Sequence, residues 1–409
     1  MQYVGFDKTL AVRKFQEYLR IKTDHPNPDY ERANEFLIEY AEELQVKVKL
    51  VPIGDGERSI VLMLIPGKQP ELPSILLNSH IDVSCADYAN WKQDPWSAYK
   101  DDIGNIHGVG AQDMKCVGIQ YLEAIRILTL LRKERFERNI YISFIPDEQI
   151  NDGSLGMTLF IQTQEFKNMN VGFAMDEGLA NPLDQYSVYY GEKIPWWVRV
   201  KCQGQGGHSS NLIGQSAAEK FSRVIASFMS FREGEIEKLK NNSTLRVGDV
   251  TSIELTVLGG GERPNSIPPD FSATFDVRIP PSVNLTEFEE MLTGWCQQAG
   301  KDVTLEFLYK GMCQVTTRSD ESSPWWITFT EALRENNLKF SKEIHPAFSD
   351  GRFLREIGIP VIGFSPMKNT PIALFTSDEF LNEDVFLDGI RAYCAVISAV
   401  ANLDTEWAC

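Results

Sequence analysis

His80 and Asp82 stand two residues apart at the end of the run Leu76-Leu77-Asn78-Ser79. An imidazole is a metal-type ligand. Residues i and i+2 share a strand face, so the Asp82 carboxylate is expected to bond the far nitrogen of His80, as carboxylates that orient zinc-bound histidines do. Asp113, in Gly110-Ala111-Gln112-Asp113-Met114-Lys115, reads either as the N-cap of the helix that follows or as a carboxylate bridging two metals. Asp147 and Glu148 close one apolar run, and Asp176 and Glu177 close another. Acids in such places are solvated loop residues or general bases. Three strand ends that all carry His or acids are more specific than any one. They supply what a dinuclear hydrolase needs: carboxylates for charge, an imidazole that suits zinc, and a free Glu to activate water.

Three further residues stand apart from that set. His208 follows a glycine-rich stretch, Gly204-Gln205-Gly206-Gly207, that lacks the Gly-Lys-Ser/Thr ending of a phosphate loop. It is placed to donate to a developing oxyanion or to be an ordinary turn histidine. Asn265, between Pro264 and Ser266-Ile267-Pro268, presents an amide on a constrained loop. Arg352, in Phe348-Ser349-Asp350-Gly351-Arg352, has the fork geometry for a bidentate carboxylate pair, or belongs to a surface ion pair.

Elements with two different orders must position these residues. Strands are expected over 59–65, 74–78, 139–145 and 171–175, and helices over 30–44 and 114–132. That alternation predicts an α/β layer sandwich. From about residue 193 the order becomes β-α-β-β-α-β, the split, ferredoxin-like arrangement. After Ser323-Pro324 the α/β pattern resumes. The expected organisation is a catalytic α/β/α sandwich formed by 1–192 and 312–409, interrupted by an α+β domain over 193–311.

Composition narrows the class. The 409 residues carry 40 basic and 57 acidic side chains, a net charge of −17, which argues against nucleic-acid and anionic-membrane partners. No uncharged apolar run approaches the length of a membrane span. The 7 cysteines are scattered with no Cys-x-x-Cys pair, which fits a reducing, cytoplasmic setting. There are only five histidines, at 25, 80, 107, 208 and 345, so any metal or acid–base site draws on a small pool.

Taken in order, His80-x-Asp82, Gly110–Lys115, Pro146-Asp147-Glu148, Asp176-Glu177-Gly178, Gly206-Gly207-His208, Asn265-x-Ile267-Pro268 and the Asp350-x-Arg352 turn resemble the aminoacylase-1 family of zinc-dependent amidohydrolases. The likeness covers nearly the whole chain. Pro195-Trp196-Trp197-Val198-Arg199-Val200 and Gly363-Phe364-Ser365-Pro366-Met367 look specific to that branch. The resemblance implies a cytosolic homodimer that hydrolyses N-acyl-L-amino acids, with the inserted domain as lid and dimerisation module. It implies zinc ligands at His80, Asp113 and Glu177, with Asp113 bridging to a second zinc. It also implies Glu148 as general base, Asp82 supporting His80, His208 (from the partner subunit) and Asn265 at the oxyanion, and Arg352 on the substrate carboxylate.

The chain departs from the family pattern at the second zinc. A second glutamate is expected after Glu148, but Gln149 stands there, and Asn151-Asp152 replaces a Gly-Gly pair. A ligand histidine is expected three residues before Asp378-Glu379, but Phe375 stands there. A neutral amide is a poor zinc ligand beside carboxylate or imidazole, and a phenyl ring is none. His107, six residues before Asp113, is the one histidine near enough in sequence to compensate. The expectation is one zinc and impaired hydrolysis. The alternative is an inactive homologue that binds ligands or dimerises.

Overall fold

The computed structural model describes residues 5–54, 56, 58–85, 88–149, 155–211, 214–374 and 376–403. The chain divides into two compact units. One takes Met1–Gly191, Thr316–Lys342 and Ser349–Cys409; the other takes Glu192–Val315 and Glu343–Phe348.

The first unit is built on a mixed sheet of eight strands. Their order is Lys47–Ile53, Arg58–Ile65, Ile140–Ile145, Ser74–His80, Val171–Asp176, Val361–Gly363, Tyr186–Glu192 and Phe340–His345. The four strands from Ile140–Ile145 to Val361–Gly363 run parallel. Parallel strands are covered on both faces, so they read as continuous apolar runs, and every residue of Ser74–His80 is buried. His80 pairs with Ile145 and Gly363 with Asp176 across the ladders, so these strands end at one edge. The carboxyl edge of a parallel sheet is where such folds place ligands.

Helices Lys8–Leu19, Lys115–Ile125, Pro324–Glu335 and Glu383–Ala401 share a single apolar core with this sheet. Asp7, Ser323 and Asn382 cap three of them through side-chain oxygens. Lys115–Ile125 is buried along its whole length. The helix expected to run to residue 132 keeps its α pitch only to Ile125; Arg126–Leu131 continues with π spacing, and Arg132 N–H reaches Ile127 O at 2.9 Å. The edge strand Lys47–Ile53 carries Pro52 and is half exposed. An edge tolerates a residue without an N–H, and that composition hides the strand from a periodicity reading.

The second unit holds a four-stranded antiparallel sheet in the order Ser252–Gly259, Asp270–Ile279, Ile194–Gln203, Val303–Lys310. Along the chain its elements run strand, helix Ala217–Asn241, two strands, helix Leu285–Ala299, strand. Val224 and Phe228 of the first helix and Phe288 and Leu292 of the second pack with Trp196, Val198 and Phe275 of the sheet in one core.

Candidate metal centre

His80 ends the central strand with its ring 1% exposed. Its Nδ1 lies 2.7 Å from the main-chain carbonyl of Asp82, which must accept, so Nδ1 carries a hydrogen, and Nε2 donates to the Asp113 carboxylate, which can only accept. Nε2 is 3.0 Å from Asp113 Oδ1, 3.6 Å from Glu177 Oε2 and 4.0 Å from Glu148 Oε2. His80, Glu148 and Glu177, all buried, form a group whose ligand atoms lie within 4.8 Å of one another.

The Asp82 carboxylate does not make the expected bond. Its Oδ1 is 3.9 Å from His80 Nδ1, which is taken by the carbonyl of the same residue. Beyond His80 the strand has ended, so the side-chain alternation that suggested a carboxylate–imidazole pair no longer applies. The carboxylate instead accepts the main-chain N–H groups of Glu148 at 3.0 Å and Gln149 at 2.8 Å. It holds the turn that carries Glu148. The same turn is gripped from its other side. Asp147 sits at φ 64°, a left-handed conformation that costs a non-glycine residue energy and persists where neighbours enforce it. Tyr30 enforces it, since its hydroxyl donates to Asp147 Oδ1 at 2.8 Å and accepts the Asp147 N–H at 3.0 Å. Arg58 adds an ion pair at 2.7 Å.

Asp113 is not a helix cap. Met114 occupies the N-cap of Lys115–Ile125 with no side-chain cap bond, and the Asp113 carboxylate turns to His80. Its loop is held by Glu379, whose buried carboxylate accepts the N–H groups of Gly110, Gln112 and Asp113 at 3.2, 2.5 and 3.4 Å. Gln112 fixes the loop further, donating to Pro371 O and Phe380 O at 3.1 and 2.9 Å. Gly110 has φ 83°, and a Cβ there would approach Val83 to 2.7 Å, so position 110 has no room for a side chain.

Under the cluster lies a second carboxylate pair. Asn78 Nδ2 donates to Asp176 Oδ1 at 3.0 Å and to Asp350 Oδ2 at 3.2 Å, while Asn78 Oδ1 accepts from Ser143. Burial first, and then the Asp176 charge, push the Asp350 pKa up to about 8 from an ordinary value of 3.8. In the folded chain Asp350 therefore keeps a proton that the unfolded chain releases near its ordinary value. Its stabilising contribution is complete at low pH and is lost as pH rises toward 8. We expect Asp350→Asn, which keeps the packing but cannot ionise, to flatten the fall in stability of the metal-free protein between about pH 4 and 8. Urea unfolding at four pH values measures this, and parallel curves for the two proteins would refute it.

The remaining residues are placed as follows. Gln149 Nε2 donates to Glu148 Oε2 at 2.8 Å and to Asp113 Oδ2 at 3.2 Å, standing between the two carboxylates. Arg352 lies in the short helix Gly351–Glu356 with its guanidinium 4.5 Å from the Phe353 ring centroid. His208 and Asn265 belong to the second unit, where His208 pairs with Ser266 in a two-stranded ladder and Asn265 O accepts the Ser209 N–H at 3.0 Å. His208 is exposed, and its Nδ1 lies 2.8 Å from Ser210 Oγ. His107 has its Nε2 3.3 Å from Asp101 and packs between the Tyr99 and Phe380 rings. Phe375, Asn151 and Asp152 lie outside the described residues.

Residues 76–399 match the model of peptidase family M20/M25/M40. The chain is 46% identical over 393 residues to human aminoacylase-1, covering 96% of each chain. The chain belongs to the aminoacylase-1 family. Aminoacylase-1 of Dictyostelium discoideum is 40% identical over 96% of this chain and 98% of its own. Among solved structures, an M20 family metallo-carboxypeptidase from Sulfolobus solfataricus superposes with TM-score 0.72 at 18% identity, over 96% of this chain and 99% of that one. That likeness is one of fold.

Within this family member the donor set can be tested against a metal. Burial is the largest influence on both Glu148 and Glu177 and pushes their pKa values well above the carboxylate range; Asp113 adds to both shifts. Burial alone would lower the His80 pKa, but the carboxylates of Asp113 and Glu177 override it and hold it well above the ordinary range. A buried group of like charges around one imidazole nitrogen is relieved by protons or by a divalent cation. One imidazole and several carboxylates suit zinc. The residues fit the group. No helix of the described residues is long and apolar enough to cross a membrane.

Sequence reasoning missed three residues of this site. Glu379 enters the sequence pattern only as the mark of a ligand position. His25 opens the stretch Pro26-Asn27-Pro28 ahead of the helix expected over 30–44, and Tyr30 is the first residue of that helix. The scarcity of histidine was a signal for His25, because a rare residue in a proline-rich turn has few packing reasons to be there.

Proposed function

We propose that this chain hydrolyses N-acyl-L-amino acids to a carboxylate and a free L-amino acid, using one zinc ion held by His80, Asp113 and Glu177, with Glu148 as general base. The observation that carries the reading is the approach of Asp113 and Glu177 to one imidazole nitrogen, at 3.0 and 3.6 Å, with Glu148 beyond them at 4.0 Å. The similarity to aminoacylase-1 supplies the substrate class. A divalent cation held there would polarise an amide carbonyl and lower the pKa of water. Glu148 takes the proton from the attacking water and returns it to the leaving amine nitrogen as the C–N bond breaks. Its turn, fixed by Asp82 and Tyr30, keeps that carboxylate in place through both transfers. Asp113 and Glu177 keep their charge directed at His80.

His208 and Asn265 keep the role of donors to the oxyanion, and Arg352 that of binding the substrate carboxylate. The reading also retains a cytoplasmic homodimer with the second unit as lid. We expect Arg352→Ala to raise KM for N-acetyl-methionine by about 10-fold or more, since a charge-assisted pair to a carboxylate is lost. An unchanged KM would remove Arg352 from the substrate site. The test of the whole reading is release of methionine from N-acetyl-methionine by the zinc-loaded wild type. Binding of the same compound without turnover is the result that the alternative, a non-catalytic homologue, requires.

A further inference from the structure

The turn that carries Glu148 is held by groups from a distant part of the chain. His25 Nε2 lies 2.9 Å from Asp82 Oδ2. The Asp82 carboxylate is fully buried and the His25 ring is 13% exposed. A carboxylate only accepts, so His25 donates. Asp82 Oδ2 thus receives His25 and the Gln149 N–H together, while Oδ1 receives the Glu148 N–H. Three donors complete one buried carboxylate, and two of them are the main chain of the proposed base and its neighbour.

The segment around His25 is itself stitched to the strand end beside His80. Thr23 Oγ1 donates to Ile81 O at 2.8 Å, and Val83 N–H donates to Thr23 O at 3.0 Å. Asp24 bridges to Val83, and Cys85 Sγ lies 3.1 Å from His25 O. Five residues further on, Tyr30 grips Asp147. One N-terminal segment therefore clasps both sides of Glu148: His25 through Asp82, and Tyr30 through Asp147.

We propose that His25 is a positioning residue for Glu148, acting through Asp82 to fix the main chain of residues 148 and 149. The catalytic part of this proposal rests on the hydrolase reading above; the structural part does not. Without His25 the buried Asp82 carboxylate loses one of three donors. A buried acceptor left short of partners is costly, and the relief open to it is to shift toward other partners. That shift moves the Glu148 main chain with it. The neighbours that orient reacting groups typically matter by about 10–100-fold.

The experiment compares wild type, His25→Leu, His25→Gln and Tyr30→Phe. Gln places an amide N–H near the position of imidazole Nε2, so it restores the donor without the ring. Two quantities are read in each protein: hydrogen exchange at the Glu148 and Gln149 amides against the Ile140–Ile145 strand, and kcat and KM for N-acetyl-methionine. The expected result is about 10-fold faster exchange at Glu148 and Gln149 in His25→Leu with the strand unchanged. A kcat fall of about 10-fold or more should accompany it, with KM changed less than about twofold. His25→Gln recovers both, and Tyr30→Phe lowers kcat in the same way. Faster exchange throughout the chain, with no recovery in His25→Gln, would reveal a merely structural residue and overturn the proposal. Unchanged exchange, or faster exchange with unchanged kcat, overturns it equally. If the wild type releases no methionine, the hydrolase reading and the catalytic part fall together, and the exchange at Glu148 and Gln149 alone decides whether His25 positions that turn.

Discussion

Glu148→Gln is expected to reduce kcat for N-acetyl-methionine by about 10²–10⁴-fold, the range that removal of a positioned general base covers. The substitution keeps the shape of the side chain and a carbonyl oxygen able to accept from Gln149, whose amide lies 2.8 Å from Glu148 Oε2. It leaves the main-chain N–H bond to Asp82 untouched. What it removes is the capacity to bind a proton at that place. The carboxylate is suited to the task because burial raises its proton affinity, and a base is most effective when its pKa approaches the working pH. The same variant separates two roles. Glu148 belongs to the group of possible metal donors, yet its oxygen is the farthest of the three carboxylates from His80 Nε2. A base-only role predicts that Glu148→Gln still binds one zinc ion with affinity near that of the wild type. Loss of zinc together with activity would make Glu148 a ligand.

The wild type is expected to bind one zinc ion tightly per chain, and Gln149→Glu combined with Phe375→His to bind two. The Gln149 amide stands between Asp113 Oδ2 and Glu148 Oε2 as a neutral donor to both. Its two hydrogens reduce the repulsion between those carboxylates, which is a task a second cation would otherwise perform. An amide oxygen brings no charge to a metal. Restoring glutamate puts a third acid beside the other two, and that arrangement is favourable only with a cation among them. Zinc content by atomic spectroscopy and affinity by chelator competition measure the outcome. The single variant Gln149→Glu should be destabilised in the absence of metal and gain more from added zinc than the wild type does. Two tight zinc ions in the wild type would sink this account.

The parts of the site that could be read in advance share one physical property. His80 ends one parallel strand, and Glu148 and Glu177 follow the ends of two others within three residues; such strands announce themselves as unbroken apolar runs whose last residues arrive at a common edge. The role of Asp113 was legible only as two alternatives. Helix-cap chemistry and ligand chemistry use the same residue type, and the choice is made by His80, 33 positions away. The Asp82 expectation failed because it assumed that strand geometry outlives the strand. His25 and Glu379 act across 57 and 267 positions, and no local pattern encodes a partner at that distance. In the fold, the alternating α/β order was visible, while edge strands such as Lys47–Ile53, half exposed and interrupted by proline, carry too little apolar signal.

The grip of Glu379 on the loop of Asp113 spans 266 residues. During synthesis at about 5–20 residues per second, those residues take roughly 15–50 s to emerge. Through that interval the nascent chain has His80 and Asp113 outside the ribosome while the carboxylate that shapes the Asp113 loop does not yet exist. Asp350, which shares Asn78 with Asp176, arrives almost as late. The proposed metal-binding edge is therefore completed late in synthesis, although the first of its proposed ligands lies in the first fifth of the chain. A ribosome that stops short of residue 379 releases a chain with every proposed zinc ligand but without the carboxylate that grips the Asp113 loop.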